Sequence, residues 1–155
     1  SDAGVKIKMI VRGICCLNVE KTGKTRNIEI SSIVGRYLEH SRVYMFGPKE
    51  RRKTYISSAD FMSRNTERRV EVAVPILDPD LKEEIDQLID IQLMDNVKAR
   101  HQIGKGVYQK LPVPPGVPSV DSQIELFRRA YLEAGNPLPE WLVRKGSVPL
   151  PEDGR

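Results

Sequence analysis

VKIKMIVRG, residues Val5–Gly13, alternates apolar and basic side chains, turns wholly apolar, and is closed by an Arg-Gly pair. A strand entering the interior of a sheet leaves this trace, because successive side chains point to opposite faces. Arg12 therefore stands at the strand's carboxyl end, the edge at which open α/β sheets collect ligands.

Working outward from this strand, 18–27 (NVEKTGKTRN) is polar around a Gly and reads as a loop, and Ile28–Ile30 as a short extended piece. A short helix is expected near Ser32–Leu38. Arg42–Phe46 (RVYMF) and Thr54–Ser58 (TYISS) are rich in aromatic and β-branched residues, and GPKERRK between them makes a hairpin with a long loop. Arg69–Leu77 (RVEVAVPIL) places Val70, Val72, Val74 and Ile76 at every second position, and Pro75 puts its far end at an edge or bulge. A helix is expected over Pro79–Met94, with Asp78 as N-cap and Pro79 at the first helical position.

LPVPPGVPS, 111–119, holds four prolines in nine residues and cannot form regular structure. It divides the chain into a globular part, 1–110, and a tail, 111–155, that packs on it. The tail carries one helix, Ser122–Ala134, stopped by Gly135, and then a Pro-rich irregular end in which Trp141 is the docking residue.

A chain of 155 residues can bury about two-thirds of its unfolded surface without a staple. No apolar run approaches the length that spans a bilayer. The only two cysteines, Cys15 and Cys16, are adjacent and point apart in an extended chain, which fits a reducing, cytoplasmic setting. Together with His40 and His101 they show no metal-ligand spacing. Lys and Arg number 25 against 21 Asp and Glu, a net charge of +4 that suits a polyanionic partner. The opening Ser-Asp-Ala-Gly runs at once into the first strand, as in a piece of something longer.

LEHSR, Leu38–Arg42, sets His40 and Arg42 two residues apart at a strand start, so an imidazole and a guanidinium share one face. SSAD, Ser57–Asp60, does the same for Ser58 and Asp60 on the neighbouring strand, where a carboxylate near the imidazole fixes its tautomer. Phosphoryl transfer needs such a set: cationic donors for the equatorial oxygens and a proton donor for the leaving oxygen. Taken alone, Arg12 fits a strand-end ion pair equally well, GPKERRK fits a solvated loop, and Arg64, Arg68 and Arg69 fit pairing with Glu67 and Glu71.

H-x-R followed by S-S-x-D resembles the phospholipase D motif, H-x-K-x-x-x-x-D followed by G-S-x-N. Arg42 stands in place of Lys, Gly47 of Asp, Ser57 of Gly and Asp60 of Asn. This variant resembles one branch of that superfamily, the polyphosphate kinases. The likeness is to their C-terminal catalytic domain and covers about residues 3–100, in AGVKIKMIVRGICCL, SSIVGRYLEHSRVYMFG, SSADFMSRNTERRVEVAVPI and DNVKAR.

The resemblance implies an α/β fold, a phospholipase D-like domain with a mixed β-sheet flanked by helices. It implies that Arg12 contacts the phosphates of ATP, that His40 is catalytic and also meets them, and that both converge on one pocket. From the residues themselves, Arg42 is expected to join the phosphate contacts, with Ser58, Asp60, Arg64, Arg68 and Arg69 in support. The resemblance further implies a phosphohistidine nucleophile, Mg2+ ligands and an adenine pocket in preceding N-terminal domains of the same polypeptide. The expected partners are ATP, ADP and polyphosphate, in a homo-oligomeric full-length enzyme, with this piece inactive alone. Two other readings stay open: a single-motif phosphodiesterase or nuclease acting as a homodimer, and a non-catalytic polyanion-binding domain.

Overall fold

The computed structural model describes residues 1–20 and 22–143. Of the end expected to be irregular over 136–155, Glu140–Val143 is helical and 144–155 lie outside the described residues. The chain is α/β and divides into two compact units, one of 1–39 with the residues from 88 onward, the other of 40–87.

The first unit is built on a mixed sheet ordered β1 (Ile7–Ile10), β2 (Ile28–Ser32), β6 (Arg100–Gly104), β7 (Val107–Gln109). β1 and β2 are parallel with Ile7 opposite Ile28, while β2, β6 and β7 run antiparallel. Ile30 and Ile33, from and just after β2, are sealed with Ile91, Ala99, Val120 and Leu142. The β6–β7 hairpin was not foreseen in the sequence. Its two-residue turn, Lys105-Gly106, has φ of 51° and 69°, the pair of positive values that a tight hairpin requires. Gln102, buried on β6, accepts from Val19 N at 2.6 Å and donates to Leu17 O at 3.1 Å, so one side-chain amide anchors the irregular segment that follows Arg12.

The helix expected near Ser32–Leu38 does not form. β2 runs through Ser32, and 33–39 follow without helix or strand. The reason is tertiary: the N–H of Tyr37 donates to Gln123 Oε1 at 3.0 Å and its carbonyl accepts from Gln123 Nε2 at 2.7 Å. Those backbone groups are then not available to a local helical turn.

Helix α3 (Ser122–Glu133), which carries Gln123, is seated by Asp95. That carboxylate is 2% exposed; one oxygen accepts from the N–H groups of Val97, Lys98 and Ala99, and the other from Ser122 N at 2.8 Å and Ser122 Oγ at 2.7 Å. Asn96 fixes the end of the Pro-rich stretch by donating to Pro118 O and accepting from Val120 N, both at 2.8 Å. The buried residues of this helix are polar, Ser122, Gln123, Glu125 and Arg128, while Ile124 and Phe127 of its apolar face are only half-buried. Phe127 meets Tyr37, Tyr131 and Trp141, and it is Leu142 of α4 (Glu140–Val143), beside Trp141, that is fully enclosed.

The second unit holds an antiparallel sheet, β3 (Val43–Phe46), β4 (Lys53–Ser57) and β5 (Ala73–Ile76), with Pro75 on the edge strand as expected. α1 (Ser63–Arg68), a helix of six residues, was not foreseen. The β3–β4 loop includes a 3-10 turn at Lys49–Arg51, and Arg52 pairs with the buried Asp86 of α2 (Pro79–Leu93) at 2.8 Å, so this end of GPKERRK is tied down. Asp78 caps α2 as expected, accepting from the N–H groups of Asp80 and Leu81.

Candidate functional site

In the first unit, Arg12 follows β1 and is half-buried. Its Nη1 donates to the carbonyl of Glu39 at 2.8 Å, which joins the end of the first strand to the residue preceding His40 in the chain. Glu39 is itself held: Gln92 Nε2 donates to one carboxylate oxygen and Gln123 Nε2 to the other, each at 2.7 Å.

The second unit opens with His40, whose side chain is exposed and not sealed among hydrocarbon. Arg42 lies beside it, as the two-residue spacing predicts. Its Nη1 is 2.8 Å from His40 Nδ1 and 3.1 Å from His40 O, while its Nε donates to Asp60 Oδ1 at 3.0 Å. A guanidinium has donors only. Arg42 Nη1 also lies 3.3 Å from His40 Nε2, so the contact spans both ring nitrogens and either one can be the acceptor. Asp60 thus braces the guanidinium that lies beside the imidazole.

Ser58 and Asp60 diverge in their partners. Ser58 Oγ donates to the carboxylate of Glu71 and accepts from Val72 N, so the hydroxyl fastens the chain leading into β5. Arg64 and Arg68 are one helical turn apart on α1, Arg69 follows it, and all three are exposed. Gly47, where the motif would carry Asp, has φ of +93°, a conformation that glycine adopts without strain.

Tyr44 is a member of this cluster that the sequence reading passed over. It lies two residues beyond Arg42 and donates to Ala59 O at 3.2 Å. Its hydroxyl pKa is raised, first by burial and then by the Asp60 carboxylate, against a smaller lowering by Arg42. The same alternation that picked out His40 and Arg42 could have found it. Glu39, Gln92, Gln123 and Glu71 carried no such signal, since each gains its role from a contact distant in sequence.

Chemically, the second unit presents an imidazole N–H backed by an ion-paired guanidinium, a donor set suited to an oxyanion. Among the described residues, no group of three or more His, Cys, Asp or Glu side chains could hold a metal ion. No described helix is long and apolar enough to cross a membrane.

Comparison with known proteins gives a consistent result. The family model described as polyphosphate kinase C-terminal domain 2 matches residues 1–123. The chain is 47% identical over 131 residues to a polyphosphate kinase of Bacillus anthracis, covering 84% of the chain and 18% of that relative. It is 40% identical over 150 residues to one of Staphylococcus haemolyticus, covering 97% of the chain and 20% of the relative. Among solved structures it resembles the polyphosphate kinase of Porphyromonas gingivalis, with a TM-score of 0.77 and 40% identity over 86% of the chain and 20% of that protein. The chain thus spans about a fifth of the length of these proteins.

Proposed function

The chain belongs to the polyphosphate kinase C-terminal domain family, and from that premise we propose that it is the C-terminal catalytic part of an ATP:polyphosphate phosphotransferase. In this reading a histidine elsewhere in the longer polypeptide attacks the γ-phosphorus of ATP. A N–P bond forms as the bond to the bridging oxygen breaks, and ADP leaves. The phosphoryl group then passes from the phosphohistidine to a terminal oxygen of polyphosphate, restoring the imidazole. The site follows the phospholipase D-like plan, with its catalytic histidines in different parts of one protein.

This chain's share of the work falls to Arg12 and His40, each assigned to the phosphates of ATP. Arg12 offsets charge that builds on them. A hydrogen bond from such a group to a charged acceptor is worth about 1.5–3 kcal/mol. His40, in its protonated form, donates to the bridging oxygen as it becomes a leaving group. The observation that supports this most directly is the Arg42 guanidinium 2.8 Å from His40 Nδ1, with Asp60 behind it. That arrangement holds a braced cation against the ring nitrogens. Arg64, Arg68 and Arg69, all exposed, are assigned to the polyanionic substrate.

Among the described residues, no group of three or more His, Cys, Asp or Glu side chains could hold a magnesium ion. The ion expected with ATP is assigned to the rest of the polypeptide, along with the nucleophile and the adenine pocket. We assign the whole enzyme to the cytoplasm as a homo-oligomer. The test is synthesis of polyphosphate from ATP and Mg2+ by the longer polypeptide, beside the 155-residue chain alone. Activity is expected in the first and none in the second. Synthesis by the short chain would overturn the placement of the nucleophile elsewhere.

A further inference from the structure

The carboxamide of Gln123 is spent on the segment that lies between Arg12 and His40 in sequence. It is buried in the first turn of α3, and its two ends bond the N–H and C=O of the same residue, Tyr37, at 3.0 and 2.7 Å. This is the two-point pairing that one strand residue offers another across an antiparallel ladder. The side chain thus acts as a one-residue strand partner for 35–39, which have no regular structure of their own. Its Nε2 also donates to Glu39 Oε1 at 2.7 Å, and Gln92, in the last turn of α2, donates to Glu39 Oε2 at 2.7 Å. Both Glu39 oxygens are therefore fixed, and the carbonyl of the same residue is the one that Arg12 Nη1 meets at 2.8 Å.

A second observation, independent of these bonds, comes from Gly35. A Cβ built there would overlap Gln123 Oε1 and lie 2.7 Å from its Cδ. Only glycine lets the carboxamide approach the chain this closely.

We propose that Gln123 is a positioning residue for Arg12: with Gln92 it locks the Tyr37–Glu39 segment, and Glu39 in turn presents the carbonyl that aims the Arg12 guanidinium at the phosphates. The inference rests on the assignment of Arg12 to those phosphates. It also gives the C-terminal segment beyond the Pro-rich stretch a part in the site, through one amide.

The test is a double-mutant cycle in the longer polypeptide, with ATP-dependent polyphosphate synthesis as the readout. Gln123→Ala is expected to lower kcat by about ten- to a hundredfold, the scale of a misplaced catalytic group, with KM for ATP changed much less. In an Arg12→Ala background the same substitution is expected to cost less than about threefold, since the group it positions is already gone. Gly35→Ala, which displaces the carboxamide without altering it, is expected to reproduce the loss and to add little to Gln123→Ala. Equal losses in both backgrounds, or an undiminished rate in Gln123→Ala, would overturn the proposal. If Gln123→Ala does not accumulate as folded protein, Gln123→Met takes its place in the cycle, and failure of both to fold would mark a fold-wide role and equally refute it. Should Arg12→Ala itself leave the rate intact, the phosphate assignment of Arg12 fails first, a result distinct from simple additivity.

Discussion

Arg42 Nη1 lies 2.8 Å from Nδ1 of His40, so a permanent cation faces one side of an exposed imidazole. The same Nη1 lies 3.3 Å from His40 Nε2, so the guanidinium spans both ring nitrogens. The Arg42 side chain is only 17% exposed and is braced by Asp60, which makes it a fixed backstop and not a wandering surface charge. In the proposed function this relation gives the two residues different roles, His40 on the substrate and Arg42 beside the ring.

His40→Ala in the longer polypeptide is expected to lower kcat by about 10²- to 10⁴-fold, the usual worth of a positioned proton donor, with KM for ATP shifted only a few-fold. A proton donor acts in the transition state more than in the ground state. Steady-state kinetics with ATP as the varied substrate check this, and an unchanged kcat removes the assignment.

Asp60→Ala frees Arg42 from its brace and lets the imidazole reorient. A fall in kcat of about tenfold is expected, beside a stability loss of under ~1 kcal/mol because the pair is partly exposed. Parallel rate and melting measurements decide it. A large drop in melting temperature with a preserved rate would make Asp60 a structural residue only.

The sequence already carried the features that depend on period and spacing. Two-residue alternation put His40 beside Arg42, the strand pattern put Arg12 at a carboxyl end, and Asp78-Pro79 marked the start of α2. Contacts made by residues far apart in sequence were illegible. Nothing local in SSIVGRYL, 31–38, announces that Gln123 will take its backbone hydrogen bonds, so a helix was the reasonable expectation there. Nor does SSAD reveal that Ser58 turns to Glu71 while Asp60 turns to Arg42. The β6–β7 hairpin is a different case, because its Lys105-Gly106 turn lay in plain view between two short apolar–polar runs.

Arg12→Lys tests whether geometry or charge is needed at the end of β1. Lysine offers a point charge in place of the planar fork, and it loses the fixed reach to Glu39 O. A fall in kcat/KM of at least about tenfold is expected in the longer polypeptide. Full activity with Lys would mean that the position supplies charge alone.

Asp95→Ala removes an acceptor shared by five donors, four of them backbone N–H groups, in a place 2% exposed. Each buried donor left unsatisfied costs about 1–3 kcal/mol, and partial relaxation brings the expected total to about 3–5 kcal/mol. Trp141, the chain's one tryptophan, lies against Phe127 of α3 and reports on the helix that Asp95 seats. Urea unfolding followed by its fluorescence is the measurement. A loss under about 1 kcal/mol would show that α3 is held in place without this carboxylate.

Tyr44 gives the site an alkaline signature whose sign follows from its surroundings. Burial and the nearby Asp60 carboxylate both disfavour the phenolate, and they outweigh Arg42, so the hydroxyl's pKa stands above its ordinary value of about 10. The folded state therefore holds this proton more tightly than the unfolded chain does. The stability it contributes is complete below the unfolded pKa and is lost as pH rises through the higher folded one. In a titration of phenolate absorbance, Tyr44→Phe should delete a component that ionises later than an ordinary tyrosine. Asp60→Asn should move the Tyr44 component downward, because it removes the second of the two raising influences while leaving the cation beside the ring. A Tyr44 component that ionises early, or that ignores Asp60→Asn, would show that the hydroxyl is not part of the His40–Arg42–Asp60 cluster.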